Sequence, residues 1–263
     1  MLEASIINWT MDQILTMVII LTRVAPLLFF MPIIGSRSVP AQVKILLTLM
    51  TSLVLMPVLK VNPQILSGPP LSFVLLVLTE VVFGAILAIF ARFVFASMEI
   101  AGMMVGIQMG MGMAAVMDPQ AGTQVAPIGM LWNIAAILIF LSIDGHHMFF
   151  STMVESFNWL PPGQLHLTEA TFNGIINGAG HMFVLAIKIM APAGAVLFFA
   201  HVSMGIIAKT VPQIQILIVG MPLNISLGLI FAGLSLAYFL PLMLTNFEML
   251  ARLLPQLGMG MGG

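Results

Sequence analysis

Few residues in this chain are equipped for chemistry. His146 and His147 follow Asp144 in the run DGHH, the densest group of metal-ligating side chains in the sequence. Neighbouring residues on a helix point about 100° apart, and no HExxH pattern accompanies the pair. A polar turn at a helix end is therefore expected there, not a metal site. His181 and His201 stand alone and are expected to be packed or interfacial. No cysteine occurs, which excludes thiol catalysis and Cys-based metal sites. A GK[ST] phosphate loop is missing, and the Ser and Asp residues form no intramembrane-protease pattern. Neither an enzyme nor a cofactor is expected.

The charged residues are more telling. Arg23, Glu80 and Lys188 each fall near the middle of an apolar run. A charge at the bilayer centre costs about 3 kcal/mol on insertion scales, against about 0.3–0.6 kcal/mol gained per Leu, Ile or Phe. The run around Arg23 could insert on that balance, but insertion alone would leave the guanidinium facing lipid, so a partner is required. Arg92 and Glu99 join these three as candidates for buried pairs between helices or between subunits. An ion or proton path is a further reading, and which charge pairs with which is open at this level.

The stretch 98–119, MEIAGMMVGIQMGMGMAAVMDP, has an unusual composition. Gly102, Gly106 and Gly110 recur every four residues, Gly112 follows, and seven methionines lie among and around them. Glycine costs a helix about 1 kcal/mol per residue against alanine, so this density needs a reason. Small residues at this spacing let helix backbones approach closely. Methionine is pliable enough to seal a surface and then repack. Gln108 sits within the stripe, and Asp118-Pro119 ends it with an extended residue and a reversal. Ordinary helix packing is one reading; a hydrophobic constriction that excludes ions is the other.

The elements that must position these residues are helices. The 263-residue chain is 60% hydrophobic and 6% charged, against about 25% charged in soluble domains. Its mean hydropathy of +1.15 marks a membrane-class chain. With a net charge of −1 and no basic run, nucleic acid is not an expected partner; membrane lipid is. Glu3 and Asp12 precede the first apolar run and no A-x-A-like site follows, so no cleaved signal peptide is expected. Apolar runs lie near 14–34, 71–91, 127–143, 182–208 and 214–244, with a short one at 45–59 and the Gly-rich one at 98–117. Six helical segments and an interrupted seventh are expected, in an all-α fold of helical hairpins without the alternation of a membrane barrel.

Turn chemistry separates them at 35–40, 62–70, 118–127, 160–163 and 210–213. Pro26, Pro192, Pro222 and Pro241 fall inside apolar runs, where each is expected to kink or break its helix. Broken, charged helices at membrane depth suggest that much of the chain is wrapped by protein. Arg37, Lys44, Arg92 and Lys209 outnumber Lys60 and Arg252, which puts the 209–213 turn in the cytoplasm and the 144–178 connection outside. A secondary transporter would also suit these features, but the paired halves of that class are not evident.

The run GIQMGMGMAAVMDP at 106–119 resembles the G-x-Q-M-G…D-P signature of the FliR family, the export-gate subunit of the flagellar type III secretion apparatus. RVAPLLFFMPIIGSRSVPAQVK at 23–44 is similar to that family's first helix and turn, and SFNWLPPG at 156–163 to its central connection. KTVPQIQILIVGMPLNISLGL at 209–229 looks like its C-terminal hairpin, with Lys209 where Arg is common. Injectisome homologues share much of the pattern.

The resemblance implies a non-enzymatic subunit that assembles with FliP and FliQ homologues into a helical pore for unfolded export substrates. It implies a FliP-like portion over 1–180 fused to a FliQ-like hairpin over 181–263. It also implies an inner-membrane location in the flagellar basal body, with much of the complex on the periplasmic side. The family's plug carries over to Gly102, Gly106, Gln108, Met109, Gly110, Met111, Gly112, Met113, Asp118 and Pro119. The cytoplasmic turn of Lys209, Pro212 and Gln213 is implied to face FlhB, with FlhA nearby.

Overall fold

The computed structural model describes residues 2–36, 38–59, 69–111, 127–211, 213 and 216–261, with backbone alone for 2–10 and 216–217. Among the described residues the protein is all-α, with seven helices and no strand. They are α1 (Leu2–Phe30), α2 (Ala41–Leu55), α3 (Pro70–Gln108), α4 (Pro127–Ser142), α5 (Gly145–Trp159), α6 (Glu169–Thr210) and α7 (Ile216–Met261). Pro70 and Pro127 open their helices, where a missing N–H costs nothing and the fixed φ already suits the helix.

Two expected segments are one element. The run 71–91 and residues 98–108 of the next share α3, whose 39 residues extend unbroken to Gln108. No glycine or proline lies between Gly84 and Gly102, and Arg92 and Glu99 sit on exposed positions, so nothing interrupts the helix there. The expected connection 144–178 contains the whole of α5 and the first residues of α6. Its mixture of His, Ser, Thr, Glu and Asn hides α5 from hydropathy, although five of its residues are buried, Phe149 and Met153 among them.

The internal prolines do not end their helices. α1 continues through Pro26, α6 through Pro192, and α7 through Pro222 and Pro241. In α7 the hydroxyls of Ser226 and Thr245 donate to the Pro222 and Pro241 carbonyls at 2.8 and 2.9 Å. Among the described residues four helices are long and apolar enough to cross a membrane, the last three counting 39, 42 and 44 residues in their apolar parts. At 1.5 Å per residue each of these is about twice as long as a bilayer core of about 30 Å is thick.

The described chain divides into two compact units. The first holds 1–92, 144–178 and 249–263; the second holds 93–143 and 179–248. In the first, Ile19, Val24, Leu27, Phe83 and Leu87 are buried, and Phe83 meets the Trp159 indole edge-on at 5.8 Å. Helix α2 packs on α1 in an unusual way: its buried residues are Thr48 and Ser52, while Val43, Leu46, Met50 and Val54 face outward. The two hydroxyls donate to carbonyls one turn back, so the small polar face can be buried without orphaned donors. In the second unit Phe95, Phe140 and Phe247 form a ring cluster beside Trp132 and Ala136.

Candidate functional site

Arg23 on α1 is completely buried, and Glu80 on α3 is 1% exposed. The guanidinium Nε donates to one Glu80 carboxylate oxygen, Oε2. Nη1 donates to Ser156 Oγ at 3.1 Å, and Nη1 and Nη2 both donate to the Leu160 carbonyl at 3.1 Å. The second carboxylate oxygen, Oε1, accepts from the Gly163 amide at 2.9 Å. The rings of Phe157 and Phe83 lie 4.1 and 4.9 Å from the guanidinium carbon. Desolvating both charges is offset by direct pairing, by backbone hydrogen bonds and by the ring faces.

Local sequence shapes this clamp. α5 ends at Leu160, and Pro161 to Gln164 form a turn closed by Gln164 N–H to Pro161 O at 3.2 Å. Gly163 in it has φ +80°, a conformation that favours glycine. The turn thereby offers one carbonyl to the cation and one amide to the anion. Gly84, four residues after Glu80, lets α1 and α3 touch: a Cβ there would overlap the Arg23 carbonyl oxygen. Two of the stretches that carry the family resemblance, 23–44 and 156–163, therefore meet at one buried ion pair.

The other expected charges are arranged differently. Arg92, Glu99 and Lys188 are exposed on the single chain, and Arg23–Glu80 is the one ion pair among the described residues. Burial of all five within the chain is thus not found.

The Gly/Met segment begins as the end of α3. Met111 N–H donates to Gly106 O and Gly110 N–H to Ile107 O, both at 3.0 Å, and Gly110 has φ +82°. This is a helix end closed on a left-handed glycine. The glycines of the stripe consequently differ in role. Gly102 meets Gly129 of α4 so closely that a Cβ would overlap the Gly129 backbone. Gly106 is buried and supplies the capping carbonyl, and Gly110 makes the turn.

The terminal turn rests on α6 and α7. Gln108 Oε1 lies 3.5 Å from where a Gly194 Cβ would stand, and Met109 is fully buried against Gly228. Met111 is half-buried. Gly112, Met113, Asp118, Pro119 and Pro212 lie outside the described residues; Lys209 and Gln213 are exposed.

Sequence reasoning missed the polar ties between α6 and α7. His181 Nε2 donates to Asn246 Oδ1 at 2.7 Å, because the Asn246 amide nitrogen already donates to Leu242 O. His201 Nδ1 donates to Leu197 O at 2.7 Å, which leaves Nε2 to accept from Asn224 Nδ2 at 3.1 Å. Their one signal in the sequence is that His181 and His201 precede the 210–213 turn while Asn224 and Asn246 follow it at roughly matching distances.

At the start of α5 the imidazoles of His146 and His147 are not divergent as expected. Asp144, left-handed at φ 53°, precedes them, and their rings meet edge-on at 4.5 Å. The ligating atoms of Asp144, His146 and His147 lie within 4.8 Å of one another. Two of the three are exposed, and the group sits at the positive end of a helix, which disfavours a cation. No metal is assigned.

Residues 14–250 match the family model for bacterial export proteins, family 1. The chain is similar to the flagellar biosynthetic protein FliR of Pectobacterium carotovorum subsp. carotovorum, with 28% identity over 239 residues covering 89% of this chain and 91% of that protein. FliR of Escherichia coli K12 is 29% identical over 211 residues, 80% of this chain and 79% of its own. FliR of Bacillus subtilis 168 is 29% identical over 226 residues, 85% and 86% respectively. The chain belongs to the bacterial export proteins, family 1, the family of the flagellar FliR proteins.

Proposed function

We propose that this chain is a non-enzymatic core subunit of the flagellar type III protein export gate, and that its Gly/Met segment plugs the pore through which unfolded substrates pass. The observation that carries the reading is similarity to FliR proteins over four fifths or more of the chain. It is supported by long apolar helices that carry exposed charges at mid-length, which suits a subunit surrounded by other subunits.

In this reading residues 1–180 are the FliP-like portion and 181–263 the FliQ-like hairpin. Homologues of FliP and FliQ are the partners, in the inner membrane at the basal body, with much of the complex on the periplasmic side. Arg92, Glu99 and Lys188 pair with charges on those subunits, whereas Arg23 and Glu80 are satisfied within the chain. Met111 and Met113 contribute the apolar seal, and Gln108, Asp118 and Pro119 define the loop. Gly102 provides close packing, Gly106 and Gly110 the turn, and Gly112 belongs to the plug with them. Lys209, Pro212 and Gln213 form the cytoplasmic turn facing FlhB, with FlhA nearby.

The test is co-expression of the full chain with FliP and FliQ homologues, followed by purification and membrane conductance. A stable complex is expected, and deletion of residues 106–113 is expected to leak ions while assembly persists. An assembled deletion complex with unchanged conductance removes the plug from the proposal. Failure to co-purify removes the gate itself.

A further inference from the structure

We propose that the Gly/Met segment is held shut by a latch within this chain, in which Gly228 of α7 is the notch that seats Met109, while Gln108 rests loosely beside Gly194 of α6. The proposal rests on the plug reading and identifies the residues that position the plug. Met109 is the first residue beyond α3 and is 0% exposed. A Cβ on Gly228 would come 2.5 Å from its Cγ, 2.6 Å from Sδ and 2.9 Å from Cε. The thioether therefore occupies the volume that any other residue at 228 would fill. Gly110 follows with φ +82°, and a Cβ on it would stand 3.8 Å from Met221 Cγ, two turns before Gly228 on the same face of α7. On α6, a Cβ on Gly194 would come 2.9 Å from Met190 Cε of the same helix, and the Gln108 amide oxygen and nitrogen, at 3.5 and 4.0 Å from it, would be in ordinary contact.

The two seats differ in strength. Met109 is apolar in an apolar notch, and its unbranched chain can leave and return without rebuilding the backbone. Gln108 Oε1 is buried and has no hydrogen-bond partner among the described residues. A buried acceptor without a donor works against the closed state, and water in an opened pore would relieve it. His201 and Asn224 tie α6 to α7, Asn224 lying four residues before Gly228. The segment is thus anchored by one side chain and loosened by the next. Met109 is an anchor in this account, leaving the pore-facing seal to the methionines after it.

The chain has no cysteine, so a paired substitution tests the latch directly. Met109→Cys with Gly228→Cys, in the full chain assembled with its FliP and FliQ homologues, is expected to cross-link in the resting gate. Oxidation should then abolish export with the ion leak unchanged, and reduction should restore it. As a second arm, Gly228→Ala should raise the leak about tenfold, equivalent to about 1.4 kcal/mol against closure. Adding Met109→Ala should bring the leak back down, because the new methyl fills the vacated notch. Wild-type export through a fully cross-linked gate, or no cross-link in the resting gate, overturns the latch. Deletion of residues 106–113 separates the two ideas: if the deletion leaks while Gly228→Ala does not, the plug stands and the latch falls.

Discussion

Arg23 and Glu80 stand 57 residues apart, yet each binds the other and also the turn that ends α5. The guanidinium takes the Leu160 carbonyl and the carboxylate takes the Gly163 amide. A charge pair that would be a liability in a free apolar helix thereby becomes the fastening for three segments. Because every polar atom of the pair except the shared ones has a backbone or hydroxyl partner, neither charge needs lipid, water or another subunit.

Removing one partner should be costly. Glu80→Ala leaves Arg23 buried with no counter-charge, and a loss of about 3–5 kcal/mol is expected. Thermal unfolding of the purified chain in detergent measures it. The double variant Arg23→Leu with Glu80→Ala should be less destabilised than Glu80→Ala alone, since no uncompensated charge remains. Equal losses would mean that the pair is not coupled.

Gly163 should be sensitive for a different reason. Its φ of +80° places any side-chain-bearing residue in a strained region, while Leu76 Cδ1 lies 3.5 Å from the Cβ position, an ordinary contact. Gly163→Ala is therefore expected to cost about 1–2 kcal/mol through backbone strain alone. Melting curves of Gly163→Ala and Gly163→Asn separate strain from crowding: Asn, which tolerates this conformation better, should lose less.

The legible parts of this fold were those written in apolar length. The runs at 14–34, 127–143, 182–208 and 214–244 fall on helices over 14–30, 127–142, 182–208 and 216–244, and the turn chemistry at 35–40 and 160–163 falls between helices. Hydropathy failed where burial is partial: α5 exposes Ser151, Glu155 and Asn158 and buries Phe149 and Met153, so its average resembles a connection. It failed in the opposite sense at 92–99, where Arg92 and Glu99 read as a break but merely occupy one exposed side of α3. Arg23 demanded a partner on energetic grounds. That the partner was Glu80, rather than Glu99 or another subunit, depends on a tertiary approach licensed by Gly84, which no spacing rule reports.

The glycines should not respond alike to substitution. Gly102→Ala drives a methyl into the Gly129 backbone, and a loss of about 1–3 kcal/mol is expected. Gly180 on α6 has nothing within 4 Å of its Cβ position, so Gly180→Ala should add about 0.5–1 kcal/mol through helix propensity. Both are read from the unfolding midpoint of the isolated chain. A Gly102→Ala variant as stable as the parent would show that α3 and α4 can separate there without penalty.

His146 and His147 offer a check on the non-enzymatic reading. Their rings contact one another and Asp144 is near, but the group caps a helix start where a cation is disfavoured. His146→Ala together with His147→Ala should leave motility intact, and His147→Ala alone, at an exposed position, should leave chain stability within about 0.5 kcal/mol. Lost motility in a chain that still folds and assembles would point to chemistry at this turn.

Lys188 is the sharpest probe of what surrounds the chain. It is exposed in the middle of α6, between Glu169 and Lys209, and Val184, Ile187 and Phe198 are exposed on the same helix. It makes no ion pair among the described residues, so its removal should not change the stability of the isolated chain. Under the proposed function this charge pairs with a carboxylate of a neighbouring subunit. Lys188→Met should therefore reduce recovery of FliP and FliQ homologues in co-purification, and Lys188→Arg should retain it. Lys188→Met with full recovery of both partners would place this face against lipid headgroups or solvent, and the charge would then have no part in assembly.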